Sequence, residues 1–217
     1  MSLNKDPWSA ATHLVGFLAA VVGLVYLVVP SAHSPSKVTA MALYGGSLVA
    51  LFLASTLYHF FDLGHRGNRW LKRLDHSAIF LLIAGSYMPP LFHYLDGTMR
   101  IAMLCVVGAV AVAGVLIKLF WIDSPTWLSL SLYLSLGWLV LVPAAWMLPR
   151  MANDSLALLI AGGLTYTAGA VVYGKRWPDP FPDRFGHHEV WHLFVLGGAT
   201  LHYFCMVTML DVPVPGF

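Results

Sequence analysis

Four residues in this chain have the types and spacing to carry chemistry, and they come from widely separated stretches. His188 and His192 stand four apart, so a helix would place both imidazoles on one face. His59 lies far earlier, four residues after Ser55, and Asp75 opens the segment Asp75-His76-Ser77. Two histidines at i and i+4 joined by a third from another segment can form a three-ligand metal site, leaving a coordination position for water. A metal there lowers the pKa of that water, and a carboxylate such as Asp75 is suited to hydrogen-bond it and act as general base. Ser55, one helical turn from His59, is placed to orient a ligand or an oxyanion.

What must position these groups is a membrane-embedded helix bundle. Of the 217 residues, 59% are hydrophobic and only 10% are charged. Mean hydropathy is +0.74. Soluble domains carry about 25% charged residues, so most of this surface must face lipid. Seven runs have the length and apolar character of a spanning helix, which needs about 20 residues. They cover 14–30, 38–61, 77–95, 101–117, 127–148, 156–173 and 190–210. The expected fold is all-α, a polytopic seven-transmembrane-helix bundle forming a single domain over 1–217. The first run is long for a signal peptide and is preceded by Lys5 as its single lysine, which favours a span. Lys118 and Lys175 are expected to snorkel from the ends of the shorter runs.

Basic residues set the orientation. With seven spans, Lys5, Arg66, Arg69, Lys72, Arg73, Lys118, Lys175, Arg176 and Arg184 share one side, against Lys37, Arg100 and Arg150 on the other. Nine against three places the N-terminus in the cytoplasm and the C-terminus outside. His59, Asp75, His188 and His192 then fall at similar depth near the cytoplasmic face, although histidine played no part in assigning the topology.

Other polar residues have plainer readings. His13, His76, His93 and His202 are read mainly as interhelical hydrogen-bonding groups, with His13, His76 and His202 also placed as candidates for supporting or cavity positions. Asp75 alone is compatible with an N-terminal cap on the helix it precedes. Cys105 and Cys205 sit in apolar runs and read as packing residues. A net charge of +2, without a basic block, excludes a nucleic-acid partner. Membrane lipids are the expected partners; oligomeric state is not encoded legibly.

The stretches Ser55-Thr56-Leu57-Tyr58-His59, Arg73-Leu74-Asp75-His76-Ser77, Gly85-Ser86-Tyr87-Met88-Pro89 and His188-Glu189-Val190-Trp191-His192, followed by His202, occur in an order that resembles the hemolysin III family. That family is the bacterial branch of the progestin and adipoQ receptor superfamily, and the likeness covers essentially the whole chain. The resemblance implies Zn2+ on His59, His188 and His192, with Asp75 holding a metal-bound water and Ser55 nearby. The residues themselves leave iron, cobalt or copper open, since three imidazoles accept any of these. The resemblance further implies a metal-dependent membrane hydrolase of a lipid amide or ester, as adiponectin receptors are associated with ceramide hydrolysis, and a role in membrane-lipid homeostasis in a bacterial inner membrane. A membrane-state sensor with structural zinc and a pore-forming hemolysin are the competing expectations; no span carries the repeated charged stripe of a water-filled channel. The sequence departs from some relatives at Phe52, where they carry an acidic residue.

Overall fold

Helix start and stop signals divide the chain where its apolar runs end. In the computed structural model, which describes residues 5–182 and 184–215, the helices are α1 (Pro7–Val28), α2 (Pro35–Phe60), α3 (Gly64–Tyr94), α4 (Gly97–Phe120), α5 (Thr126–Trp138), the short α6 (Ala144–Met147), α7 (Asn153–Lys175) and α8 (His187–Val207). Proline opens α1 and α2 at a position where its missing N–H costs nothing, and Ser34 caps α2 by accepting the Lys37 N–H at 3.4 Å. Gly64 and Gly97 take φ of 71° and 49° at the starts of α3 and α4, a region that favours glycine. Among the described residues the only β pairing is an isolated bridge between Phe181 and Phe185.

The apolar expectation holds. Five helices, α1, α2, α4, α7 and α8, are long and apolar enough to cross a membrane, and α5 with α6 makes a sixth if the bent pair is one span. Val15, Val22 and Val29 along α1 are 65–69% exposed, an apolar face that lipid accommodates and water would not.

Three expectations change. The run 127–148 is not one straight helix: α5 ends in a 3-10 turn, Leu139–Leu141, and the axis bends by 41° before α6. Pro143 stands at the break, where its ring and absent N–H prevent a continuous hydrogen-bond ladder. The third helix starts at Gly64 rather than near Ser77, so Asp75 lies inside α3 and caps nothing. The basic residues Arg66, Arg69, Lys72 and Arg73 therefore occupy helical turns and not a loop. Lys118 does not snorkel outward; it is 1% exposed and bonds to Ser124 Oγ at 2.8 Å and to Ser129 Oγ.

Sequential helices pack as neighbours from α1 through α4, α5 contacts α3, α4 and α7, and α8 packs on α7 and returns against α1 to close the ring. Small residues permit the close approaches: Gly85 of α3 faces Ser47 and the Leu43 carbonyl of α2, and Gly114 of α4 lies under the buried Phe80 ring. This alternation gathers the start of α1, the end of α2, the first turns of α3, the end of α4 and the start of α8 at one end of the bundle. Contacts there tie them together, including Asp6 N–H to the His59 carbonyl at 3.0 Å, and Arg69 to Asp123 at 2.7 Å.

Candidate metal centre

His59 occupies the last turn of α2 and is 2% exposed. The last carbonyls of a helix lack intrahelical donors, and the backbone of Asp6 supplies one to His59. The Asp6 side chain takes the same residue from the other side, Oδ2 lying 3.0 Å from His59 Nδ1. This hydrogen bond is the main cause holding the Asp6 carboxyl below its usual range, against partial burial that raises it. With Nδ1 engaged, Nε2 of His59 is left buried and without a hydrogen-bond partner.

His188 and His192 sit in the first two turns of α8. Glu189 fixes that helix start: its Oε2 accepts the Gly186 N–H at 2.8 Å and its Oε1 accepts the Ser9 hydroxyl at 2.8 Å. Ser9 Oγ is also 3.4 Å from His188 Nδ1. The first turn of α1 thus braces α8 as Asp6 braces α2. His192 is 2% exposed, and its Nδ1 has no partner. His13 stacks on it at 3.7 Å with an interplanar angle of 18°.

The three predicted ligands converge. Ring centroids are 5.0 Å apart for His59 and His188, 4.9 Å for His59 and His192, and 4.6 Å for His188 and His192. One ligand atom from each lies within 4.8 Å of the others. Tetrahedral zinc with Zn–N bonds of about 2.0–2.1 Å would set these nitrogens about 3.4 Å apart. Imidazole ligands with orphaned buried nitrogens, one held by a carboxylate, fit a zinc-type ion. His13 is not part of the convergent group and serves as its packing support.

A cavity of about 680 Å³ opens beside His188 and His192; His59 is not among its lining residues. Ser55, Asp75, His76, His188 and His192 line its polar end, and Ile79, Leu82, Leu130, Leu134 and Leu159 line its apolar wall. Ser55 is 1% exposed, whereas Asp75 is only half-buried and makes no hydrogen bond or ion pair with a described residue. His76 also faces the cavity, its Nδ1 buried without a partner, while Tyr133 donates to its carbonyl at 3.3 Å. His202 lies on the cavity wall and is committed to packing: its Nε2 reaches the Leu159 carbonyl at 3.2 Å and its ring stands edge-on to Tyr166. His93 bonds within its own helix, to the Pro89 carbonyl at 2.7 Å, rather than between helices.

A smaller polar cleft of about 380 Å³ is lined by Lys5, Asp6, Asp179, Arg184, His187, His188 and Glu189. His188 belongs to both walls. The arrangement can bind a divalent metal between an apolar chamber and a polar port.

Sequence reasoning missed Asp6, Ser9 and Glu189. Asp6 and Ser9 flank the start of an apolar helix like ordinary capping residues, and Glu189 follows Gly186 at capping-box spacing. Only the meeting of α1 with α2 and α8 assigns them to the site.

A family model described as Haemolysin-III related matches residues 1–203. The chain is 34% identical over 210 residues to the Hemolysin-3 homolog of Bacillus subtilis (strain 168), covering 95% of this chain and 94% of that protein. It is 34% identical to Hemolysin-3 of Bacillus cereus, with 94% and 91% covered. It is also 29% identical to the Monocyte to macrophage differentiation factor of Homo sapiens, with 90% and 80% covered. Phe52 packs its ring edge-on against His13 at 5.1 Å.

Proposed function

The chain belongs to the haemolysin-III-related family, and from that premise we propose that it is a zinc-dependent membrane hydrolase that cleaves a lipid amide or ester and serves membrane-lipid homeostasis. In this reading α3 is the seventh span, its charged first turns lie at the cytoplasmic surface of a bacterial inner membrane, and the metal site sits just inside that surface. The nine-to-three partition of basic residues supports the orientation.

One observation carries the proposal. His59, His188 and His192 converge, and two of them, His188 and His192, line the same cavity as the carboxylate of Asp75, which makes no hydrogen bond or ion pair with a described residue. Zinc bound by His59, His188 and His192 supplies Lewis acidity toward a carbonyl and acidifies water near neutral pH. The chain does the rest. Asp6 and Ser9 hold His59 and His188 in orientation. Asp75 accepts the proton of the attacking water and returns it to the leaving group. Ser55 offers a hydroxyl donor beside the reacting carbonyl. The leucine- and isoleucine-lined wall holds the acyl chain and keeps bulk water from it.

The test is turnover of ceramides and related acyl amides by protein purified in lipid, with and without metal removal. Turnover lost on chelation, restored by zinc and abolished by Asp75→Asn with metal content unchanged supports the reading. Turnover that survives both chelation and Asp75→Asn refutes it. Bound metal with no turnover on any acyl amide or ester would instead favour a sensor in which the ion ties α2 to α8.

A further inference from the structure

The cavity has a second polar point on a different pair of helices. Lys118 lies in the last turn of α4, and its ammonium reaches Ser124 Oγ at 2.8 Å in the α4–α5 link and Ser129 Oγ in the first turn of α5. The two hydroxyls lie 3.2 Å apart, and Ser129 also turns toward the Pro125 carbonyl at 3.4 Å. The Tyr133 ring covers the ammonium from 5.9 Å. All four side chains line the 680 Å³ cavity.

The charge here is not balanced. Lys118 is 1% exposed, and no carboxylate among the described residues lies within ion-pair distance. The acid nearest in sequence, Asp123, is taken by Arg69 at 2.7 Å and Lys72 at 3.5 Å. Burying an ammonium against neutral hydroxyls alone is costly, and an anion that brings its own charge offsets that cost. The hydroxyls can turn to donate to such an anion, and the free N–H groups at the start of α5 favour negative charge as well. Much of the remaining wall is apolar, Leu130, Leu134 and Leu159 among it, so an anion that carries a hydrocarbon tail can use both surfaces.

We propose that the Lys118–Ser124–Ser129 cluster is a headgroup subsite for an anionic single-chain amphiphile, with a phosphate or carboxylate at this cluster and the hydrocarbon chain along the cavity wall. The inference rests on the cavity being the lipid chamber of the proposed hydrolase, and requires neither turnover nor metal. It narrows the ligand class from lipids in general to those carrying an oxyanion at one end.

The test is displacement of a fluorescent dodecyl-chain probe from protein in nanodiscs of neutral lipid, using dodecyl phosphate, dodecanol and inorganic phosphate as competitors. Dodecyl phosphate is expected to compete at a concentration at least tenfold lower than dodecanol, with inorganic phosphate ineffective. Lys118→Met should abolish the difference between the two amphiphiles and leave dodecanol unchanged, while Lys72→Met should leave it within threefold. If Lys118→Met does not fold, Ser129→Ala, a milder change in the same cluster, should cut the preference at least threefold. The His188→Ala/His192→Ala variant should retain it. No preference in the wild-type protein, a preference that survives both Lys118→Met and Ser129→Ala, or equal competition by inorganic phosphate overturns the proposal. A preference lost in the histidine variant but kept in Lys118→Met puts the anion at the metal, overturning the subsite while leaving the hydrolase reading intact.

Discussion

Removing the Asp6 carboxylate should loosen the metal without touching a ligand. Asp6 reaches His59 twice, through its backbone N–H at 3.0 Å and its side chain at 3.0 Å, and only the second contact is lost in Asp6→Ala. The end of α2 therefore stays tethered, while the imidazole loses the group that fixes its tautomer and increases its basicity. Loss of such a partner generally costs 10–100-fold in metal affinity. The Asp6 side chain is 39% exposed, so solvent screening places the effect in the lower part of that range. We expect 10–30-fold for Asp6→Ala, about 1.4–2 kcal/mol. Asp6→Asn, which keeps an acceptor oxygen without the charge, should lose less, about 3–10-fold. The measurement is zinc competition against a chromophoric chelator with protein in nanodiscs, alongside a thermal melt to show that the bundle is intact. Zinc affinity of Asp6→Ala within threefold of wild type, while His59→Ala binds poorly, would refute the assignment of Asp6 as the group that orients His59.

The remaining predictions concern the ligands, the packing and acid behaviour. His188→Ala/His192→Ala should reduce bound zinc by more than tenfold in metal analysis, whereas His202→Ala, whose ring is committed to the Leu159 carbonyl, should leave zinc content unchanged. Gly114→Ala would place a methyl into the buried Phe80 ring, which is itself packed at 4.7 Å on Tyr133, and should destabilise the protein by about 1–3 kcal/mol in a denaturation assay despite alanine's better helix propensity. The Asn68 amide, at 2.8 Å, is the main cause holding Asp62 below its usual carboxylate range, with the Gly64 N–H at 3.1 Å assisting. A depressed carboxyl contributes above its unfolded pKa of about 3.9 and loses that contribution as pH falls through the folded value. Amide exchange in the α2–α3 turn, normalised for intrinsic rates, should therefore accelerate below about pH 4 in wild type, and Asp62→Ala should remove that dependence.

Membrane class, an all-helical fold and the three convergent histidines were all legible in the residues. Lipid tolerates only apolar surface and requires backbone groups to be satisfied within each span, so composition and run length nearly dictate the architecture. The i, i+4 spacing of His188 and His192 encodes their shared face locally. Phe80 and Gly114 were unremarkable as letters, because close packing is a property of facing surfaces rather than of one helix.

What only the tertiary structure decided is how the site is held. Asp6, Ser9 and Glu189 look like helix-end residues in sequence, yet they brace His59 on α2 and the start of α8 that carries His188 because α1 closes the ring against both. Asp75 resembled a cap until α3 was seen to begin at Gly64, which leaves its carboxylate on the cavity wall. Lys118 read as a snorkelling lysine but is turned inward by hydroxyls contributed after the helix has ended. The physical reason is common to all of these. A residue's local pattern encodes the backbone it prefers, while its charge acts on whatever distant segment the fold brings within about 3 Å, and short-range periodicity contains no record of that neighbour.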